Sequence, residues 1–218
     1  MNKLNLSKRL LEISNMVAPN SRVIDVGCDH GLLDVYLSLN KNCSCVATDI
    51  NENALSGAIR NVKKYHLEDK IQTVVSDGLK DVVVSKKDTV VIAGMGTHTI
   101  MGIVRDMVCD TLIIQSNNDL ELLRFYITHL GYYIDKEKVV YERGQYYVII
   151  RFIKGHLEYD EMDYILGPIL RKDLANCNYF QYLYDQCEYV LQHLPDNVVY
   201  EEKRKKIEYT KKELSKLI

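Results

Sequence analysis

Residues 23–37 read VIDVGCDHGLLDVYL, and this stretch decides the fold. A short apolar run ends at Gly27, the polar pair Asp29 and His30 follows, and an apolar pattern with helical spacing then resumes. A buried strand that turns through glycine into a helix is typical of an open α/β sheet, which binds ligands at the carboxyl ends of its strands. The polar pair therefore marks either a solvated turn or the mouth of a nucleotide-type site.

The alternation of strand and helix continues to about residue 130. The strand-like runs are RVIDVG, SCVATDI, IQTVVSD, TVVIAG and TLIIQS. Strands that are apolar throughout, with amphipathic helices between them, predict a parallel sheet covered on both faces. YYIDKEKVVYE and QYYVIIRF then follow one another with only Arg143 and Gly144 between them. Because this gap has no room for a crossover helix, we expect an antiparallel hairpin at the edge of a doubly wound α/β sheet.

After about residue 155 the strand pattern gives way to helical spacing. Apolar residues recur at 3-4-3-4 intervals from Phe180 to Leu194 and again from Ile207 to Leu217, on either side of the turn 195–197. Two such helices predict an antiparallel, coiled-coil-like hairpin that closes on itself, with pairing between molecules as the alternative. We therefore expect one domain over residues 1–154 and a helical extension over 155–218.

Composition limits the class of protein without choosing a partner. The chain has 218 residues, 47% of them hydrophobic, with 28 basic and 30 acidic residues, so net charge neither favours nor excludes nucleic acid. No apolar run reaches signal-peptide or membrane-spanning length. The six cysteines have no metal-ligand spacing, so we expect reduced thiols and no metal. These features favour a cytoplasmic protein, which we expect to be monomeric.

Three strand ends carry a glycine and two acids, in chain order. Gly27 ends the first strand, Asp49 ends the second 22 residues further on, and Asp77 ends the third. An acid at the second end is placed to accept hydrogen bonds from ribose hydroxyls, and one at the third could accept from an adenine amine. The alternatives are plain turns at Gly27 and at Asp77-Gly78, and a helix cap at Asp49, although Asn51 could fill that role.

The fourth and fifth strands end in glycines and amides. Gly94 and Gly96 flank Met95, which either lets the backbone approach a ligand closely or forms a tight strand-to-helix turn. Gln115 and Asn117 could bind the edge of a base or cap the next helix. The ligand that these strand ends imply has a carboxylate, a ribose and an adenine. S-adenosylmethionine fits that description better than NAD, because nothing cradles a pyrophosphate.

The motifs DVGCDHG, TDI, SDGL, AGMG and IQSNN, in this order and before a tyrosine-rich hairpin, resemble the TrmK family of bacterial tRNA methyltransferases. The resemblance covers essentially the whole chain. It implies a class I methyltransferase domain with a Rossmann-like sheet, a helical coiled-coil extension, and methylation of N1 of adenine 22 in tRNA from S-adenosylmethionine. The chain departs from the family pattern at four positions. Leu32 and Asp34 replace a tyrosine and a proline, Thr97 replaces a glycine, and Ser116 replaces a proline.

The resemblance and the strand-end pattern together assign candidate roles. We expect the carboxylate of Asp29 to favour the cationic product, with a helix cap as the alternative role of this residue. We expect His30 to orient Asp29 or to contact the base, with a structural histidine as the alternative. The expected cofactor residues are Gly27, Cys28, Asp49, Ile50, Asp77, Gly78, Gly94, Met95 and Gly96. The expected substrate residues are Arg9, Gln115, Asn117, Lys203 and Arg204, of which the last two belong to a basic C-terminal helix that could also be a solvated face.

Two other functions stay open from the sequence. One is a methyltransferase of the same fold that acts on a different acceptor, and the other is a non-catalytic RNA-binding module with a degenerate cofactor fold. The intact glycine and acids at the strand ends argue against the second, and a cofactor-binding measurement would separate the two.

Overall fold

The structure is a computed structural model that describes residues 4–218. It contains two compact units, one that ends at Glu158 and one that spans Tyr159–Ile218. The sequence placed the corresponding boundary after residue 154.

The first unit is built on a seven-stranded sheet. Its strands are β1 (Arg22–Val26), β2 (Ser44–Asp49), β3 (Ile71–Val75), β4 (Thr89–Met95), β5 (Thr111–Ser116), β6 (Tyr132–Glu142) and β7 (Gln145–Lys154). They are arranged in the order β3-β2-β1-β4-β5-β7-β6, in which the first five are mutually parallel and β7 pairs antiparallel with both β5 and β6. The predicted five parallel strands and closing hairpin are confirmed.

From residue 4 onwards, five helices accompany the sheet in the first unit. They are α1 (Lys8–Met16), α2 (Leu32–Lys41), α3 (Glu52–Lys64), α4 (Thr97–Val104) and α5 (Leu120–His129). The central strands are buried on both faces, as shown by Ile24 of β1, Val91 of β4 and Ile113 of β5. Strands that must be apolar on both faces have no polar side, which explains their continuous apolar runs in the sequence.

Buried ionic contacts and turn geometry hold the β6–β7 hairpin in place. Arg124 of α5 donates a 2.8 Å hydrogen bond to Glu137 of β6, and both side chains are buried. The turn uses Arg143 and Gly144 with φ values of 51° and 81°. Two successive left-handed residues match the right-handed twist of the flanking strands, which is the geometry of a two-residue hairpin turn.

The second unit is helical. It contains α6 (Glu161–Leu166), α7 (Cys177–His193) and α8 (Glu201–Leu214), with short 3-10 turns at Leu170–Lys172, Leu174–Asn176 and Val198–Tyr200. Arg204 of α8 donates to the carbonyl of Leu194 at 3.0 Å, and Lys211 of α8 donates to Glu188 of α7 at 2.7 Å. Because the later residue of α8 meets the earlier residue of α7, the two helices are antiparallel. The predicted helical hairpin is present, and regular coiled-coil packing stays a prediction.

Within residues 4–218, no helix combines the length and the hydropathy needed to cross a membrane. The same described range holds no cluster of three or more histidine, cysteine or carboxylate side chains arranged to bind a metal ion. The cytoplasmic location and the monomeric state stay predictions from the sequence.

Candidate active site

The carboxyl ends of the parallel strands meet at one edge of the sheet. β1 lies between β2 and β4, so the chain order reverses at β1. In an open α/β sheet, the crevice at this reversal is where ligands bind. Most of the residues that the sequence predicted for the site lie at the ends of β1, β2, β3, β4 and β5 or directly after them.

The turn after β1 is tightly folded. Gly27 has a φ of +76°, a conformation that glycine adopts without strain, and a Cβ atom there would lie 2.4 Å from Cε of Met95, so a larger residue would also displace the end of that side chain. The backbone N–H groups of Gly27 and Cys28 both donate to the carbonyl of Thr48, at 2.8 and 2.9 Å. These two donors are therefore used within the sheet. Any anion bound beside this turn must find its donors elsewhere.

Asp29 and His30 project from this turn into solvent. The residue that caps α2 is Gly31, with no side-chain cap bond, so Asp29 is not the helix cap that the sequence left as an alternative. Nε2 of His30 lies 3.7 Å from Oδ1 of Asp29, and the two side chains are 57% and 73% exposed. The imidazole rests against α3 at Gly57, where a Cβ atom would lie 2.3 Å from Nδ1. The pair is accessible to a large substrate.

The carboxylate of Asp49, at the end of β2, bonds to the backbone of the turn after β1 and to the backbone before α3. It accepts from the backbone N–H of Asp29 at 3.2 Å and from that of Asn51 at 2.9 Å. Asn51 caps α3 through a 2.8 Å bond from the N–H of Asn53. Asp49 is thus free of the capping role, and it remains partly exposed beside the exposed apolar side chain of Ile50.

Asp77 and Gly78 follow β3 at the same edge. The Asp77 carboxylate is exposed and pairs with Nζ of Lys80 at 2.5 Å. Exposed ion pairs of this kind exchange readily with solvent, so the pair does not prevent Asp77 from binding a ligand. Gly78 has a φ of +65°. A Cβ atom there would lie 3.1 Å from Ile103, which shows that the backbone of this turn lies close to α4.

On the other side of the site, Arg9 connects α1 to the end of β5. NH1 of Arg9 donates to Oε1 of Gln115 at 2.7 Å, and Nε2 of Gln115 donates to Oδ1 of Asn117 at 3.1 Å. Asn117 in turn donates to the carbonyl of Gly94 at 2.7 Å. Gln115 is only 1% exposed, so both ends of its amide are engaged within the protein. The sequence predicted these residues separately and did not predict the contacts between them, because Arg9 and Gln115 are 106 positions apart in the chain.

Two of the four departures from the family pattern contact each other. The hydroxyl oxygens of Thr97 and Ser116 lie 2.8 Å apart, and both residues are buried. Thr97 also donates its backbone N–H to Oδ1 of Asn118 at 2.9 Å. These bonds join the turn after β4, which begins at Gly96, to the turn after β5. The two side chains are therefore one coupled feature of the site.

Two buried carboxyl groups lie beneath the site. Asp25 of β1 and Asp34 of α2 are neighbours, and Asp34 is fully buried. Neither carboxylate oxygen of Asp34 has a hydrogen-bond partner within residues 4–218. Burial raises the pKa of Asp25 to about 7, and burial together with the charge of Asp25 raises the pKa of Asp34 well above its usual range. Because burial makes it costly for both neighbouring carboxyl groups to be charged at once, the pair holds a proton near neutral pH.

A cavity of about 100 Å³ opens beside this pair. Its lining includes Arg9, Asp25, Gly27, Asp29, His30 and Leu33. Cys28 also lines it, but burial and the surrounding carboxylates raise the pKa of its thiol, so it is a packing residue without nucleophilic character. The cavity joins the turn after β1 to the Arg9 side of the site.

Lys203 and Arg204, which the sequence proposed for RNA, lie in α8 of the second unit. The Arg204 guanidinium is partly occupied, because it binds the carbonyl of Leu194 at the end of α7. Lys203 is exposed. Other lysines of α8 are used in ion pairs, as in Lys205 with Glu201 and Lys211 with Glu188.

The chain has a doubly wound sheet with acids at the ends of β2 and β3 and a glycine turn after β1. This combination defines a methyltransferase domain of class I. Residues 6–150 also match the family model described as a methyltransferase domain.

The chain is 31% identical over 175 residues to the putative tRNA methyltransferase MG248 of Mycoplasma genitalium, an alignment that covers 76% of this chain and 78% of that protein. Together with the relatives below, this places the chain in the TrmK family of bacterial tRNA methyltransferases. The chain is also 29% identical over 185 residues to the tRNA (adenine(22)-N(1))-methyltransferase of Bacillus subtilis (strain 168). This alignment covers 79% of this chain and 78% of that protein.

Solved structures support the same assignment. M. capricolum TrmK in complex with S-adenosyl-homocysteine matches with a TM-score of 0.83 at 26% identity, over 97% of this chain and 96% of that one. The structure of B. subtilis TrmK matches with a TM-score of 0.85 at 23% identity, over 99% and 100% of the two chains, and supports the fold. The resemblance seen in the sequence motifs is confirmed.

Proposed function

We propose that this chain transfers the methyl group of S-adenosylmethionine to N1 of an adenine in tRNA, at the position that corresponds to adenine 22. One observation carries the residue assignment. The backbone of Asp29 is hydrogen-bonded to the carboxylate of Asp49, which places the acid proposed to act on the substrate directly beside the acid proposed to hold the cofactor.

The donor set at the strand ends suits the nucleoside half of this cofactor. Asp49 has exposed carboxylate surface for ribose hydroxyls, and Asp77 can exchange Lys80 for the amine of an adenine. Ile50, which is 68% exposed, offers an apolar face for the ring. The positive-φ glycines at 27, 78 and 94 allow a ligand to lie against backbone at these turns.

The amino-acid half of the cofactor fits the cavity beside β1. Asp25 lines that cavity and can accept a hydrogen bond from an ammonium group. Because the N–H groups of Gly27 and Cys28 are already used, we assign the carboxylate to the N-terminal end of α2, which begins after Gly31 without a side-chain cap. The positive end of a helix dipole favours an anion there. When bound, the cofactor supplies an electrophilic methyl group.

The residues of the chain then have three tasks. Adenine N1 carries a free lone pair at neutral pH, so no strong base is needed. The protein must expose N1, align it and favour the positive charge that forms on the ring. Asp29 is the residue for the third task, since its exposed carboxylate can face the ring and can also accept from the exocyclic amine. His30 lies beside Asp29 and is held against Gly57, so it orients this carboxylate or contacts the base.

Contacts to the rest of the tRNA are assigned to two basic regions. Arg9 borders the cavity, and Asn117 is exposed at the end of β5. We propose that residues 155–218 form the tRNA-contacting extension, with Lys203 as a phosphate contact on α8. Arg204 can contribute a second contact through the part of its guanidinium that does not bind Leu194.

The test is methyl transfer from labelled S-adenosylmethionine to unmodified bulk tRNA, followed by analysis of the nucleosides. We expect 1-methyladenosine, and we expect no label in a transcript that carries guanine in place of adenine 22. Tight cofactor binding without methylation of tRNA would point to a methyltransferase with another acceptor. Binding of tRNA without cofactor binding would point to a non-catalytic RNA-binding module.

A further inference from the structure

The tip of the β6–β7 hairpin projects past the active-site edge of the sheet. The register pairs Ile114 of β5 with Ile150 of β7, and β5 ends at Ser116 whereas β7 begins at Gln145. The hairpin therefore continues three residues beyond the end of its neighbour, which is about 10 Å at the rise of an extended strand. The carboxyl ends of the parallel strands, including the Asp29 turn after β1, lie at this same edge.

Contacts from α1 hold the projecting tip against the site. The backbone N–H of Lys8 donates to Oε1 of Glu142 at 2.7 Å. The guanidinium of Arg9 lies 5.2 Å from the centre of the Tyr147 ring, within the range of a cation–π contact, while its NH1 binds Gln115. Arg9 thus ties the start of β7 to the end of β5, and the position of the tip relative to Gln115 is fixed.

The tip carries a pair of aromatic rings on one face. Tyr141 and Tyr146 are directly opposite each other across the hairpin, with ring centres 4.7 Å apart and planes tilted by 47°. Tyr141 is 55% exposed. An exposed tyrosine ring beside a second aromatic ring is a surface on which an unpaired base can stack.

Two cations accompany the rings. Arg143 is exposed at the turn and makes no hydrogen bond or ion pair to any of residues 4–218. The acid next to it, Glu142, already accepts from the backbone of Lys8, which occupies one of its oxygens. The side chain of Lys8 is exposed. We name Lys8, Tyr141, Arg143 and Tyr146 the hairpin-tip surface.

We propose that the hairpin-tip surface binds a single-stranded part of the tRNA next to the target adenine, with a base stacked on Tyr141 and a backbone phosphate bound by Arg143. This inference rests on the proposed function and extends it to a second contact region on the first unit. When a base is removed from its stack, the neighbouring bases lose a stacking partner. An aromatic ring at the edge of the site can replace that partner. The combination of an exposed aromatic ring and two exposed cations favours RNA over a protein partner, which would need a larger apolar patch.

The test compares four variants of the full chain. Arg143→Asn removes the charge and keeps a residue that tolerates the left-handed conformation, and Tyr141→Leu removes the ring and keeps an apolar strand residue. Tyr141→Phe keeps the ring. Lys87→Asn is the matched charge control, because Lys87 is exposed and precedes β4 at the opposite edge of the sheet. Each variant is assayed for cofactor affinity, for thermal unfolding, for binding of unmodified tRNA over a range of salt, and for methylation.

We expect Arg143→Asn to bind tRNA about 10-fold more weakly at moderate salt and to lower the slope of log K against log salt by about 0.7. Tyr141→Leu should weaken binding by about 5- to 100-fold, whereas Tyr141→Phe and Lys87→Asn should stay close to wild type. Cofactor affinity should be unchanged in all four. Equal tRNA binding by Arg143→Asn, Tyr141→Leu and Lys87→Asn would overturn the hairpin-tip proposal alone. Failure of the wild-type chain to bind or methylate tRNA would overturn the proposed function and this surface with it.

Discussion

The backbone N–H of Asp29 donates a 3.2 Å hydrogen bond to Oδ2 of Asp49, although the two residues are 20 positions apart. Asp29 has a φ of +52°, in the left-handed region that aspartate and asparagine adopt more often than other residues with a side chain. The bond to Asp49 holds the turn in this conformation. One carboxylate therefore serves two purposes, since it faces the proposed ribose site and holds the turn that presents the proposed catalytic carboxylate.

Asp49→Ala should weaken binding of S-adenosylmethionine by about 10-fold or more, because a charged acceptor for two ribose hydroxyls is lost and the Asp29 turn loses its partner. Isothermal titration calorimetry measures this directly. Asp69→Ala is the control, since Asp69 is an exposed acid that precedes β3 at the opposite edge of the sheet. Equal affinities for the two variants would remove Asp49 from the cofactor site.

Asp29→Asn should keep cofactor affinity within about twofold and lower turnover on tRNA by about 100-fold, the loss typical of a removed electrostatic contact in a reaction centre. Asparagine tolerates a positive φ, so the turn is kept while the charge is lost. Asp29→Gly should show the same loss with even less backbone strain. If either variant turned over at the wild-type rate, the proposed role of the Asp29 carboxylate would be wrong.

Thr97 and Ser116 should behave as a coupled pair in a double-mutant cycle. Because their hydroxyls bond at 2.8 Å in a buried site, the combined Thr97→Ala and Ser116→Ala variant should be less destabilised than the sum of the single variants, by about 0.5–1.5 kcal/mol. Urea unfolding gives the three free energies. Ser116→Ala combined with Ser38→Ala is the additive control, since Ser38 contacts Cys45 of β2, and β1 and β4 lie between β2 and β5. Strict additivity of Thr97 and Ser116 would contradict the coupling.

Asp34→Asn should stabilise the protein more at pH 8 than at pH 5. In the folded state burial raises the pKa of Asp25 to about 7 and that of Asp34 well above its usual range, whereas both carboxyl groups ionise at a pH of about 4 in the unfolded chain. Between these values the native state binds more protons, so the wild-type free energy of unfolding falls as pH rises. Because Asp34→Asn removes one of the two acids, the free energy of unfolding of the variant should fall less as the pH rises.

Thermal unfolding at the two pH values is the measurement for this pair. A gain of about 1 kcal/mol corresponds to a rise in Tm of about 2–4 °C for a chain of this size. Asp69→Asn, at an exposed acid, should shift the two melting temperatures little and equally. A stabilisation by Asp34→Asn of the same size at both pH values would show that the pair does not hold a proton in the folded state.

Local sequence rules were sufficient for most of the fold. Continuous apolar runs with helical segments between them predicted the five parallel strands, and the two-residue gap at Arg143 and Gly144 predicted the antiparallel hairpin. The same rules located the strand-end glycine and acids, because the carboxyl ends of parallel strands always meet at one edge. Asn51 was also correctly suggested as the cap of α3, which frees Asp49.

Contacts between distant segments were beyond those rules. The sequence shows Arg9 as a basic residue near the N-terminus, and only the packing of α1 beside β7 brings its guanidinium to Gln115 and Tyr147. It shows Thr97 and Ser116 as two separate departures from a family pattern, and only the adjacency of β4 and β5 makes them one hydrogen-bonded pair. Side-chain partners are chosen by which strands and helices become neighbours, and no local spacing encodes that choice.

The sequence alone determined the class of fold, the edge of the sheet that carries the site, and the acids that line it, because hydrophobic periodicity and the position of polar residues after strands are local properties. The tertiary structure decided that Asp49 holds the Asp29 turn, that Asp25 and Asp34 share a buried space, and that the hairpin tip projects beyond β5. These outcomes depend on register and burial. Both arise only when elements far apart in the chain pack together and exclude water from the groups between them.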